Sequence, residues 1–352
     1  MADKKGRRVR LRDVAEHAGV SVGSASQAFG RPELVSEKVR ERVLAAAKTL
    51  GYAGPDPAAR HLRTGRSGAI GLIFAERLRY QFTDPAAPAF LRGVADGMRR
   101  APIGLLLVPD SRQRDESART VHEAAVDGFI VYSAPHDDPR IEAALARRLP
   151  VVTVDGPRDA PTPFVGIDDR AGARSAAEHV RALGHERVAV LSFIRALDPD
   201  ETLVLDVTVE RLEGYREGLG EAWDESLVRT CRPNSSRPAR AASLELLQEP
   251  DPPTAILAMS DVFAIGALQA ATELGVSVPS GLSLVGFDDS PAATLATPQL
   301  TTVAQPHEQK GRLATEWLLA AIARGGYEDP LQHAILPTEL VVRESTARPD
   351  KR

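Results

Sequence analysis

Leu11-Arg12-Asp13-Val14-Ala15-Glu16-His17-Ala18-Gly19-Val20-Ser21-Val22-Gly23-Ser24-Ala25-Ser26-Gln27-Ala28-Phe29 decides how this chain begins. Its first eight residues put Leu11, Val14, Ala15 and Ala18 on one stripe at helical spacing. Gly19 follows, where a left-handed turn residue is wanted. Ser21 can cap a second helix by accepting a hydrogen bond from a free N–H of its first turn. That helix, about Val22 to Phe29, turns Ala25, Ala28 and Phe29 inward. Gly23, Ser26 and Gln27 are left on the opposite face, with Val22 and Ser24 at its edges. A third helix begins after Ser36 and runs to about Leu50 on a ridge of Val39, Val43, Ala46 and Leu50. Two short helices joined by a tight glycine turn, with a third completing the core, read as an all-α helix-turn-helix.

Charge separates this module from the rest. Residues 1–66 hold fourteen Lys and Arg against seven Asp and Glu, so a net +7 sits at the front of a chain whose total is −4. A basic module on an acidic body points to a polyanion partner for the module alone. The outer face of the second helix is small and uncharged, which suits a major groove. There Gln and Ser reach base edges and Val22 can touch a thymine methyl. Arg7, Arg8, Arg10, Arg31 and Lys38 are placed for phosphates. The helix pattern alone fits a protein-binding three-helix module equally well.

The following segment favours DNA. Pro55 and Pro57 interrupt the chain, and Ala58-Ala59-Arg60-His61-Leu62-Arg63-Thr64-Gly65-Arg66 is a short basic stretch of helical propensity. A leucine flanked by Arg60 and Arg63 can wedge between base pairs from the minor groove. The alternative is a plain linker whose Leu62 packs on the body.

From Gly68 onward, apolar strands alternate with helices. The strands read 69–74, 103–108, 128–132, 151–155, 188–191, 255–259 and 284–287. The helices read 87–100, 116–125, 140–148, 170–183, 207–219, 237–247 and 261–274. This alternation implies parallel sheets covered on both faces, in two α/β subdomains with a cleft between them. Ligands in such sheets gather beyond the carboxyl ends of the strands. Asp155, Ser260, Asp261 and Asp288 fall at those ends. Carboxylates there can take paired hydrogen bonds from sugar or nucleoside hydroxyls, or can cap helices. Asp261, which opens a helix, reads as a cap; Asp288 reads as a ligand contact.

The order Asp13-Val14-Ala15, Ala18-Gly19-Val20-Ser21, Val35-Ser36, Arg40, Val43, Ala46, Leu50-Gly51-Tyr52, Ala59-Arg60-His61-Leu62 resembles the lactose-repressor/galactose-repressor (LacI/GalR) family. The resemblance runs to about Ser345. It implies a helix-turn-helix headpiece (residues 1–56), a hinge helix and linker (57–67) and a periplasmic-binding-protein-like body (68–352). Within the body it implies one subdomain of about 68–168 plus 292–325, and another of about 169–291 plus 326–345. Ser24-Ala25-Ser26-Gln27 stands where the family usually has Thr-Val-Ser-Arg, exchanging a guanine reader for a side chain better matched to adenine. Gly30 replaces the usual Asn and suits a left-handed cap.

By the same resemblance the DNA contacts are Ser21, Val22, Gly23, Ser24, Ser26, Gln27, Arg31, Arg60, Leu62 and Arg63. Arg211, in Arg211-Leu212-Glu213-Gly214-Tyr215, falls on a segment whose Arg reaches the effector; the alternative is a surface ion pair with Glu210 or Glu213. Asp288, Ser260, Asp155 and Phe164 (or Ile167) complete the effector set, with Phe74 and Phe90 from the first subdomain. The implied protein is a cytoplasmic homodimer with the 87–100 helix at its interface. It would be a repressor that binds double-stranded operator DNA and a sugar, polyol or nucleoside.

Other classes fit poorly. No apolar run reaches the ~18 residues of a membrane span, and no secretory signal leads the chain. Cys231 is the sole cysteine, and Gly184-His185-Glu186-Arg187 reads as a turn before a strand, so neither a disulfide nor a metal site is expected. There is no P-loop, dinucleotide fingerprint or catalytic triad, and no cofactor or enzymatic activity is expected. A transport component or a sugar-processing enzyme on the same body would leave residues 1–66 without a role.

Overall fold

The structure, a computed structural model, describes residues 9–54, 65–74, 85–109, 114–193, 206–327 and 330–350. The chain divides into two compact units, Met1–Gly68 and Ala69–Arg352.

In the first unit, α1 (Leu11–Ala18), α2 (Val22–Gly30) and α3 (Glu37–Leu50) enclose a core of Val14, Ala15, Ala18, Ala25, Ala28, Val43, Ala46 and Ala47. Phe29 meets the edge of Tyr52 at 5.6 Å. Ser21 and Ser36 cap α2 and α3 by accepting from the N–H groups of Ser24 and Val39. Gly19 ends α1 at φ 63°, where a side chain would be strained. The Arg42 guanidinium donates to the carbonyls of Ala18 and Gly19, which otherwise end α1 unpaired. A Cβ at Gly19 would come within 2.9 Å of that guanidinium. Gly30 corrects one expectation: it is the last helical residue and has no positive φ. The cap falls to Arg31 at φ −148°, because Pro32 drives the residue before it out of the helical region.

The second unit carries two six-stranded sheets with matching winding. The first is built from β1 (Ala69–Phe74), β2 (Gly104–Val108), β3 (Phe129–Tyr132), β4 (Val151–Val154), β5 (Phe164–Ile167) and β11 (His333–Leu336). These run parallel in the order β11-β5-β4-β3-β1-β2. Around it lie α4 (Ala86–Met98), α5 (Arg114–Glu123), α6 (Pro139–Ala146) and α12 (His307–Arg324). The second sheet is β12-β10-β9-β8-β6-β7, made of β6 (Val188–Ser192), β7 (Val228–Thr230), β8 (Ala255–Ala258), β9 (Ser283–Asp288), β10 (Thr301–Ala304) and β12 (Glu339–Val341). Only β12 runs antiparallel to its neighbour. Its helices are α7 (Asp169–Ala182), α8 (Asp206–Leu219), α9 (Ser236–Leu247), α10 (Asp261–Glu273) and α11 (Pro291–Leu295).

Near-continuous apolar strands such as Ala69–Phe74 and Ala255–Ala258 are buried because helices cover both faces. Close helix contacts need glycine. A Cβ on Gly93 of α4 would overlap the Glu308 backbone oxygen of α12.

The chain passes between the subdomains three times: after β5, after β10 and between β11 and β12. This corrects the subdomain bounds read from sequence. Within 292–325, β10 pairs with β9 and so belongs to the second sheet, and only α12 packs on the first. Within 326–345, β11 pairs with β5 in the first sheet. Strands this short carry little periodicity, so their sheet is decided by pairing.

Candidate functional site

In the first unit, α2 presents Val22, 47% exposed, beside exposed Gly23 and Gln27, with Ser24 and Ser26 half-buried. Ser21 accepts from the Ser24 N–H at 3.0 Å, and the two hydroxyls lie 2.9 Å apart, so this pair serves the helix cap. Gln27 and Val22 remain as an amide and a methyl pair on a face without charge, and Arg31 is exposed just beyond it. An amide and methyl groups of this kind are able to contact base edges in a major groove. Arg60, Leu62 and Arg63, expected from the sequence as hinge contacts, lie outside the described residues, as do Arg7 and Arg8.

In the second unit, buried and half-buried side chains near the carboxyl ends of both sheets form one string of hydrogen bonds closed by an ion pair. Asp155, directly after β4 at φ 57°, accepts from Lys310 Nζ of α12. Lys310 also donates to Gln305 Oε1 (2.7 Å), and Gln305 Nε2 donates to Asp288 Oδ1 (2.6 Å) at the end of β9. Arg211 Nη1 lies 3.8 Å from the same Oδ1 and donates to Met259 O (2.7 Å). Its Nε donates to Asp169 Oδ1 (2.8 Å), and the guanidinium lies 3.6 Å above the Phe287 ring. Buried charges persist only when paired in this way. Burial outweighs the pull of Arg211 and holds the Asp169 carboxyl above its usual range. Burial opposes the Arg211 charge, but Asp169 and Asp288 outweigh it and raise its pKa.

His307 stands beside this string with neither ring nitrogen hydrogen-bonded among the described residues, its Nε2 3.9 Å from Asp288 Oδ1. Burial, then the cations Lys310, Arg211 and Arg92, push its pKa well below the ordinary value, so the ring is neutral with one donor and one acceptor. Asp288, Gln305 and His307 border a cavity of about 570 Å³ that also touches Ala86, Ala89 and Thr294. This is within the ~300–1,000 Å³ of small-molecule sites.

The remaining expected residues separate. Arg211 is buried, which overturns the alternative of a surface ion pair with Glu210 or Glu213. Ser260, not Asp261, caps α10, accepting from the Phe263 N–H and donating to Asn234 Oδ1 at 2.8 Å. Asp261 instead accepts from the Ser290 N–H and the Thr302 hydroxyl, tying α10 to the turn after β9 and to β10. Its burial pushes the carboxyl up to about 6. Phe74 and Phe90 are not on the cavity wall; both pack on Tyr132 in the core of the first sheet. Phe164 is buried under Arg158, whose guanidinium lies 5.5 Å from the ring. His185 is structural, bonded to Thr254 Oγ1 and Ala347 O. Among the described residues no group of three or more His, Cys, Asp or Glu is placed to hold a metal ion, and no helix is long and apolar enough to cross a membrane.

Comparison with known proteins gives this architecture a family. Residues 10–54 match the model of bacterial regulatory proteins of the lacI family, and residues 177–346 match a periplasmic binding protein-like domain. A helix-turn-helix-type transcriptional regulator of Mycobacterium tuberculosis is 41% identical over 97% of this chain and 98% of its own length. The chain belongs to this family. The regulator IpsA of Corynebacterium glutamicum is 36% identical, covering 89% of this chain and 91% of its own. Among solved structures, a transcriptional regulator CelR–cellobiose complex is 30% identical with a TM-score of 0.70, covering 96% of this chain and 100% of that one. A lac repressor dimer bound to operator and an anti-inducer is 26% identical with a TM-score of 0.81, covering 97% and 100%. This LacI-family chain is a DNA-binding transcriptional regulator and not an enzyme.

Gln305, His307 and Lys310 are the residues that sequence reading missed. They sit where the chain returns from β10 to α12, and neither element was read from the sequence. A signal was present: Gly311, Ala314, Leu318 and Ala321 recur at helical spacing and are all buried in α12.

Proposed function

We propose that this regulator is a cytoplasmic, homodimeric repressor whose hold on double-stranded operator DNA is set by a small hydroxylated molecule between the two body subdomains. The ligand is a sugar, polyol or nucleoside. The observation that carries this is the string from Asp155 and Lys310 on the first subdomain to Asp288 and Arg211 on the second, beside the cavity. Carboxylates, an amide and a neutral imidazole on one wall suit adjacent hydroxyls, which both donate and accept. The cellobiose held by the related CelR supports this class. Asp288, Gln305 and His307 would meet the ligand on the cavity wall, with Lys310, Asp155 and Arg211 holding them from behind. Ser260 and Phe164, engaged elsewhere, stand outside this set.

Residues 1–56 form the DNA-binding domain, 57–67 the hinge and the remainder the effector-binding body. Val22 and Gln27 read a thymine methyl and an adenine edge, while Leu62 from paired hinges enters the centre of a near-palindromic operator. A dimer is supported by the edge strand β2, whose Leu105 and Leu106 are 37% and 40% exposed. Such an apolar edge calls for cover.

A thermal-shift screen of neutral sugars, polyols and nucleosides tests the reading. A specific ligand at ~100 times its Kd stabilises by ~2.7 kcal/mol, and Asp288→Asn should abolish that gain. Absence of any stabilising compound, or an unchanged gain in Asp288→Asn, would overturn it.

A further inference from the structure

A second titratable bridge joins the two subdomains away from the buried string. His136 lies in the loop after β3, on the first subdomain. Its Nδ1 is 2.8 Å from Asp159 Oδ1 in the turn after β4. Its Nε2 is 2.5 Å from Asp206 Oδ1, on the first residue of α8 in the second subdomain. The Arg158 backbone N–H fixes the other oxygen of Asp206 at 2.9 Å. A neutral imidazole carries one N–H, so with a carboxylate at each nitrogen one contact would set lone pair against lone pair. Both are hydrogen bonds only when the ring is the imidazolium.

The surroundings support the charged form. On the histidine's own loop, Asp138 is engaged with Arg140, and Asp137 is the neighbouring acid. From the turn after β4, Asp159 faces the ring, while the Arg158 guanidinium turns away to Ile167 O and the Phe164 ring. From α8, Asp206 faces it, and Glu210 acts on Arg170 instead. Partial burial opposes the charge, but the hydrogen bond and charge of Asp206, then those of Asp159, outweigh it and raise the pKa above 6.5. The imidazole is 48% exposed, so protons reach it freely.

We propose that His136 is a proton-operated clasp between the two subdomains. Charged, it bridges Asp159 and Asp206 and keeps the subdomains in the arrangement seen here. Neutral, it releases one carboxylate and leaves two acidic segments facing each other, which repel. The two-sided bridge is complete in acid; as the pH rises through the raised pKa it loses its cation and one of its two bonds. If the cleft is the effector site, which rests on the reading above, proton uptake and effector binding strengthen one another by linkage. The clasp itself needs no ligand.

It is tested on the full chain without ligand. Spin labels at Glu142→Cys on α6 and Glu245→Cys on α9, in a Cys231→Ala background, report the distance between subdomains by electron double resonance. Measurements at about pH 5.5 and about pH 8.5 bracket the histidine range. A narrow distribution in acid should shift or broaden in base, and His136→Gln should show the base distribution at both. Identical distributions at the two pH values, or an acid distribution that His136→Gln leaves intact, would overturn the clasp. The unsubstituted chain gives a second reading that does not depend on how the variants fold. Its His136 signal in a ¹³C-histidine titration, assigned by its loss in His136→Gln, should have a midpoint above 6.5 that Asp159→Asn lowers. A midpoint at or below 6.5 would equally overturn the proposal, whatever becomes of the effector reading.

Discussion

Replacing Arg211 with leucine removes the cation that holds Asp169, and the structure sets the size of the effect. The two side chains are only 7% and 4% exposed, so the remaining carboxylate stays in the interior without a partner. Breaking one side of such a pair costs about 3–5 kcal/mol. The Met259 carbonyl loses its donor in the same step. Asp169 already titrates above its usual range because of burial, and losing Arg211 moves it further up. A carboxyl whose folded pKa is raised favours the fold below its unfolded pKa and penalises it as the pH rises through the folded value. The variant should therefore be least stable near pH 8 and recover part of its loss near pH 5, by ~1.4 kcal/mol for each further unit of upward shift. Urea unfolding followed through Trp223 and Trp317 measures this. Adding Asp169→Asn removes the orphaned charge and should bring stability back to within ~1–2 kcal/mol of the parent. A loss equal at both pH values, with a double variant no more stable than Arg211→Leu, would refute the reasoning.

Three further outcomes are expected. Gly93→Ala should cost ~1–3 kcal/mol in urea unfolding, because its Cβ would overlap the Glu308 backbone and force α4 from α12. Gln27→Ala should weaken operator binding by ~1–3 kcal/mol and relax preference at one base pair, whereas Arg31→Ala should weaken all sequences alike and reduce the salt slope by about 1. Both are read by anisotropy titrations at several salt concentrations. The Cys231 thiol is buried and pushed up to about 12 by that burial, so it should react with a disulfide reagent only after denaturation.

Much of the fold was legible because it rests on local signals. The stripe of Leu11, Val14, Ala15 and Ala18 gave α1 to the residue, and the apolar run Ala69–Phe74 gave β1. What escaped depends on long-range pairing. β10, β11 and β12 are three or four residues long, and β10 is half threonine, so neither length nor alternation marks them. With them went Gln305, His307 and Lys310, since Lys310 meets an aspartate 155 positions away. Arg211 and Asp288 were visible as polar residues beside strand and helix patterns. That Arg211 would be buried on Asp169 was not, because the pair spans 42 positions and two helices. Gly30 shows a different limit, a local cue overridden by the proline two residues on.

The most direct test is anisotropy of the full chain on the duplex it selects from a random pool, with and without the compound that raises its melting temperature most. The account calls for Kd to change by ~5–150-fold on adding the compound, the usual coupling of ~1–3 kcal/mol. The same Kd in both titrations would contradict it.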